Sequence, residues 1–274
     1  MCLIGLAWHS HPDYPLIVVG NRDEFYARRT RAAAWWGQAI SLLAGRDEEA
    51  GGTWMGITRA GRFAALTNVR APTGRNPHAA SRGELVLSAL QAKEPAANWL
   101  ASQTPRLPGF NGFNLLVGDI WPAAETDPAL LYHSNRCESG SRVLAPGVYG
   151  VSNGLLDTPW PKLTQAVGRM SLQIAQKVDA EKLMAIFSDR RRARVSELPS
   201  TGVAADWEHA LSAIQIRAKG YGTRSTTVIT VRADGLVNFI ERSFDPLDPD
   251  SHTDRHYEFS LARQAPVPEP RDAF

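Results

Sequence analysis

Hairpin signals occupy both ends of this chain, and helical periodicity is confined to its middle. That order limits the fold more than any single motif. Residues 2–8, Cys2-Leu3-Ile4-Gly5-Leu6-Ala7-Trp8, make an apolar run of strand length. Leu16-Ile17-Val18-Val19 makes a second, β-branched and short. Between them, His9–Pro15 carries the Pro and Asp of a turn. The second strand is expected to end at the polar cluster Gly20-Asn21-Arg22-Asp23-Glu24, which the hairpin returns toward the N-terminus. Residues 25–50 read as loop-rich, and residues 51–58 and 63–69 as a second hairpin turning at Arg59–Arg62. A third pairs 113–118 with 129–134, and Tyr149–Asn153 ends a further strand. Thr226–Val231 and Leu236–Glu241 are joined through Asp234-Gly235, a strong hairpin turn.

The helices lie between. Ser81-Arg82-Gly83-Glu84 has the spacing of a capping box, with a helix expected from Arg82 to about Ala92 and another over 95–102. From Pro161, the positions Leu163, Val167, Met170 and Ile174 recur on one helical face, with Pro in a permitted first-turn place. Residues 179–194 are expected to be helical and to end in the basic run Arg190–Arg194, read as a solvated face; 204–212 make a short helix. Hairpins, then helices, then hairpins predict an α+β domain of antiparallel sheets with helices on their outer faces. The order excludes a doubly wound parallel sheet, and Gly51-Gly52 lacks the context of a phosphate loop. With no repeat and no linker, residues 1–274 are expected to form one domain with a mobile, Pro-rich tail over about 265–274.

Composition removes several classes of function. A net charge of +2 offers no field for nucleic acid. The apolar runs are too short to span a bilayer, and no basic segment with an apolar core opens the chain, so a cytoplasmic location is expected. The two cysteines, Cys2 and Cys137, read as separate thiols, and no Cys/His cluster suggests a metal or cofactor.

Cys2 is the residue with the most chemistry in reach. A cysteine in an apolar strand is usually packing. Removal of Met1, however, would place its thiol and a free α-amine on one residue. Their unperturbed pKa values of roughly 8.5 and 7.7–8.0 are close enough for the amine to take the thiol proton. Polar residues collect at the ends of the buried strands: Arg22, Asp23, Asn68, Asn153 and Arg224. Singly, each is a turn cap or a solvated charge. Together they supply a cation for a thiolate, a carboxylate for an amine and neutral donors for an oxyanion.

Gly20-Asn21-Arg22-Asp23-Glu24 resembles the signature of the NRDE family, whose animal members are the transport and Golgi organisation 2 proteins. Met1–Ile4, Gly51–Gly56, Leu66–Arg70, Val151–Gly154 and Tyr221–Ser225 resemble further family segments in the same order. The family is similar to N-terminal-nucleophile cysteine hydrolases such as penicillin V acylase, bile salt hydrolase and acid ceramidase. That similarity implies a four-layer αββα sandwich. It also implies catalytic roles for Cys2, Arg22, Asp23, Asn68, Asn153 and Arg224, with Asn21, Glu24, Thr53, Trp54 and Arg70 as candidate substrate contacts. In the acylases two residues separate the Arg from the Asp; here Arg22 and Asp23 are adjacent, and neighbours on a strand point to opposite faces.

The expected activity is hydrolysis of an amide or thioester of a small acyl substrate through an acyl-enzyme on Cys2, with no cofactor. The alternative is a carrier of a hydrophobic ligand, an acyl-CoA, another lipid or haem, with Trp8, Trp35, Trp36 and Trp54 or His9 and His11 as candidate contacts.

Overall fold

The computed structural model describes residues 2–37, 41–70, 74, 76–122 and 127–262. The strands are β1 (Cys2–Trp8), β2 (Leu16–Phe25), β3 (Thr30–Trp36), β4 (Leu42–Asp47), β5 (Met55–Thr58), β6 (Arg62–Asn68), β7 (Phe113–Asp119), β8 (Ala129–Ser134), β9 (Arg142–Val143), β10 (Gly147–Val151), β11 (Arg217–Ala218), β12 (Tyr221–Val231), β13 (Leu236–Phe244) and β14 (His252–Ser260). The helices are α1 (Arg82–Gln91), α2 (Ala96–Gln103), α3 (Pro161–Gln176), α4 (Ala180–Phe187) and α5 (Ala205–Ala210).

All strand pairs are antiparallel, in two seven-stranded sheets. The first runs β10-β1-β2-β12-β13-β14, with β11 paired to β12; the second runs from β3 to β9 in chain order. Alternation along the strands divides the apolar residues among three cores. Ile4, Leu6, Leu16 and Val18 meet Ile57, Phe63 and Leu116 between the sheets. The other face of the second sheet packs on α1 and α2 through Ala64, Leu66, Leu85 and Trp99. The other face of the first sheet packs on α3 and α4 through Leu3, Ile17, Val19, Met170 and Phe187. The result is the expected α+β sandwich, two antiparallel sheets between helical layers.

Several local expectations are corrected. Residues 25–50 hold β3 and β4, which pair with each other rather than forming a loop. The second strand does not stop at Gly20: β2 continues to Phe25, so the polar cluster is part of the sheet. Helix α1 forms at Arg82, but Ser81 makes no side-chain cap bond, and Glu84 reaches Arg106 instead at 2.5 Å. Helix α4 stops at Phe187. Asp189 then accepts from Arg191 and Arg169, so the basic run lies beyond the helix in irregular backbone. Strand β14 adds a further edge strand after the expected last hairpin. The expected mobile tail lies outside the described residues.

Candidate functional site

Cys2 heads β1 and faces Arg22 of β2 in register, which in turn faces Ser225 of β12. Even-numbered residues of β1 enter the core between the sheets, so the Cys2 thiol lies at its rim, 7% exposed. The rim opens into a cleft of about 410 Å³ whose walls include Cys2, Arg22, Asp47, Trp54, Asn68 and Arg224. Glu24 and Thr53 also line it.

Period-two alternation sorts the cluster in β2. Arg22 shares the Cys2 face and reaches Asp47 of β4 at 3.4 Å; its Nη1 is buried without a hydrogen-bond partner among the described residues. Glu24 accepts from the Phe25 N–H and stands 3.9 Å from Arg28. Asn21 and Asp23 face the helical layer. The Asn21 amide donates to the carbonyls of Phe187 and Ile214 and accepts from Thr226. It therefore ties the sheet to the helical layer and does not line the cleft. Asp23 is buried and accepts from the Thr223 hydroxyl at 2.7 Å.

A bulge in β12 makes this sorting possible. Asp23 pairs with Thr223 and Arg22 with Ser225, leaving Arg224 as the extra residue. Without it, Thr223 and Ser225 would lie on one face; with it, each faces its partner in β2. The Arg224 Nη1 donates to the carbonyls of Phe25, Tyr26 and Arg28, closing the loop after β2 beside the cleft.

The backbone around Cys2 is equally held. Ser152 donates its hydroxyl to the Cys2 carbonyl at 3.1 Å. Asn153 donates its side-chain amide to the Asn68 carbonyl at 3.0 Å and accepts the Arg70 N–H through its own carbonyl. Thr53 donates to the Met55 carbonyl at 3.2 Å. Arg70 points elsewhere: it meets Glu208 at 2.6 Å and lies over the Trp160 ring, in a small chamber behind the sheet. Asn21 and Arg70, expected as substrate contacts, are thus outside the cleft. His9 and His11 lie in the turn at the far end of β1, about 20 Å along a seven-residue strand from Cys2. Trp8 and Trp35 pack into the core between the sheets, and the Trp36 indole donates to the Ala44 carbonyl. Cys2 and Cys137 are both free thiols.

Burial pushes the Cys2 thiol up, and the Asp23 carboxylate acts the same way. The charge of the amino terminus first, then the Arg22 guanidinium and the Asp23 backbone N–H, donated to the sulfur, pull it down without overcoming burial. The expected net lowering by nearby cations is therefore not what the folded chain shows. Asp23 is itself pushed up by burial, opposed first by the charge of Lys162. Lys162 was missed in the sequence, although a signal existed. It stands four residues before Ala166 and eight before Met170, on the apolar face of α3, where a lysine needs a reason.

A family model described as transport and Golgi organisation 2 matches residues 1–246. The chain belongs to the transport and Golgi organisation 2 family. The family homologue of Bos taurus is 37% identical over 282 residues, 95% of this chain and 99% of the relative. The human homologue is 36% identical over 277 residues, again 95% and 99%. The Drosophila melanogaster protein is 27% identical over 272 residues, 91% of this chain and 94% of its own. Among solved structures, a mutant of the conjugated bile acid hydrolase from Clostridium perfringens superposes with a TM-score of 0.50 at 9% identity, covering 97% of this chain and 99% of the other. At that identity the match speaks for a shared fold alone, and it agrees with the layers described above. Among the described residues, no helix is long and apolar enough to cross a membrane.

Proposed function

We propose that this member of the transport and Golgi organisation 2 family is an N-terminal-nucleophile cysteine hydrolase that cleaves an amide or thioester of a small acyl substrate. The supporting observation is the place of Cys2: first in β1, at the wall of a cleft, in register with Arg22, with its sulfur accepting the Asp23 N–H. In this reading Met1 is removed and the Cys2 α-amine lies beside Asp23. The amine takes the thiol proton and Sγ attacks the substrate carbonyl carbon. The negative charge on the carbonyl oxygen is met by Asn68, braced by Asn153. The C–N or C–S bond breaks as the ammonium returns its proton to the leaving group. Water, deprotonated by the same amine, then attacks the thioester and releases the acid. A free amine beside Cys2 adds a proton acceptor where burial now holds the thiol protonated. Arg22 is the nearby cation, Asp23 orients the amine, and Arg224 shapes the wall. Glu24, Thr53 and Trp54 are the proposed substrate contacts, and solution in the cytoplasm is the proposed setting.

Intact-mass spectrometry of the purified protein, before and after a panel of acyl esters and amides, tests this reading. The expected result is loss of Met1 and a single acyl adduct that disappears in Cys2→Ala. A mature chain that retains Met1, or no adduct with any acyl donor or electrophile, overturns it. Asn68→Ala is expected to slow acyl transfer by about 10²–10³-fold. In the carrier reading the same cleft, which sets Trp54, Leu66 and Phe244 beside its charged residues, holds a hydrophobic ligand; a haem absorption band or co-purified acyl chain would favour it.

A further inference from the structure

Lys162 is the second residue of α3 and only 4% exposed, and its Nζ has no hydrogen-bond partner among the described residues. It lines the small chamber behind the first sheet with Arg70, Trp160, Glu208 and Ser212. An unpaired buried ammonium is costly, so its retention calls for a charge that it serves. Arg70 and Glu208 neutralise each other at 2.6 Å. The charge that most favours the protonated Lys162 is Asp23 on β2, and Lys162 is in turn the cation that Asp23 feels most strongly.

We infer that Lys162 is a positioning residue for Cys2: its ammonium is the counter-ion that keeps Asp23 a carboxylate, and Asp23 orients Cys2 in turn. The inference rests on the nucleophile reading and names the residue that supports it from behind the sheet. The two halves of the device lie on opposite sides of β2. Asp23 joins them, because its carboxylate feels the charge of Lys162 and accepts from Thr223 while its backbone N–H reaches the Cys2 sulfur at the cleft wall.

The groups around Lys162 come from several elements. Asp23, Cys2 and Glu208 favour its charged form, and Arg70 opposes it. Tyr221 on β12 faces Asp23 and is held protonated far above its usual range, chiefly by burial. On β10, Tyr149 packs toward the core between the sheets. On α4, Glu181 is engaged with Arg242 at the surface, and the Lys182 N–H caps on Asp179. Burial outweighs the acidic neighbours and brings Lys162 down to about 8. Its charge is therefore present at neutral pH and lost just above it. With that charge gone, the Cys2 thiolate loses a cation, and Asp23 gains proton affinity and gives up the carboxylate that orients the Cys2 α-amine; these two losses slow the nucleophile and outweigh the easing of thiol ionisation that a neutral Asp23 brings.

The test is the pH dependence of Cys2 alkylation by iodoacetamide, followed by intact mass in a Cys137→Ser background that removes the second thiol. Lys162→Met is expected to slow alkylation at pH 7 by about tenfold and to move the profile up by about one pH unit. Lys162→Arg is expected to keep the profile near the parent's. In Asp23→Asn, the added Lys162→Met is expected to have a smaller effect than in the parent, limited to the direct charge of Lys162 on Cys2, and an undiminished effect overturns the route through Asp23. A folded Lys162→Met protein with the parent profile overturns the inference. Failure of the nucleophile reading looks different: parental Cys2 would then alkylate no faster than a thiol in an unstructured peptide. If Lys162→Met does not fold, ¹³Cε NMR of the lysines keeps the test open, with the Lys162 signal assigned by Lys162→Arg. Asp23→Asn is expected to lower the Lys162 midpoint by about one pH unit, and an unmoved midpoint overturns the inference.

Discussion

Asn21, Arg22, Asp23 and Glu24 alternate across one sheet, so a tetrapeptide that looks like one site serves two. Asn21 satisfies two buried carbonyls from the helical layer, while Arg22 and Glu24 belong to the cleft. Asn21→Ala is expected to cost about 2–3 kcal/mol in urea unfolding, since it orphans those carbonyls, while leaving Cys2 alkylation in the folded protein unchanged. The adjacency of Arg22 and Asp23 signalled this division from sequence alone, because neighbours on a strand cannot share a face. Which residue took which face required the register with β1. A second residue-scale prediction concerns acid. Asp189 is held at about 2, against 3.8 for a free carboxyl, chiefly by its bond to Arg191. The folded state thus binds that proton less readily than the unfolded chain, so the stabilisation is complete above pH 4 and fades as pH falls toward 2. Asp189→Asn is expected to flatten this part of the melting temperature against pH.

At the scale of elements, the bulge at Arg224 carries the most consequence. Its guanidinium gathers three carbonyls from the loop after β2, a job for a broad planar donor set. Arg224→Met is expected to destabilise the protein by about 2 kcal/mol in urea unfolding and to raise hydrogen exchange in residues 25–29. The hairpins with apolar strands and strong turns were legible: β1–β2, β5–β6, β7–β8 and β12–β13. Gly235 takes the left-handed conformation that the Asp-Gly turn predicts, at φ +84°. Strand β3 was not legible, because Arg31, Ala32, Ala33 and Ala34 carry little strand preference and pairing with β4 overrides it. Strand β14 is an exposed edge with only Phe259 buried, and its charges Asp254, Arg255 and Glu258 disguised it while guarding that edge. The Ser81 cap was a correct boundary for the wrong reason, since the helix starts there without the predicted bond.

For the whole molecule, three apolar cores in series mean that the cleft inherits its shape from packing on both sides of each sheet. Phe63 sits fully buried between the sheets, and Phe63→Ala is expected to cost about 3–5 kcal/mol in thermal unfolding. The layer order was legible from element order, whereas the chamber around Lys162 was not, because it joins Arg70 after β6, Lys162 of α3 and Glu208 of α5, which no local pattern connects. One further contact joins the second sheet's side of the cleft to the helical layer. Gly52, before β5, and Gly83, in the first turn of α1, bring their backbones so close that a Cβ on Gly52 would stand 2.6 Å from the Gly83 carbonyl carbon. Both residues line the cleft. Two walls that touch main chain to main chain have no side chain between them to rotate aside. That stretch of the cleft wall therefore holds a position set by backbone packing and not by a rotamer.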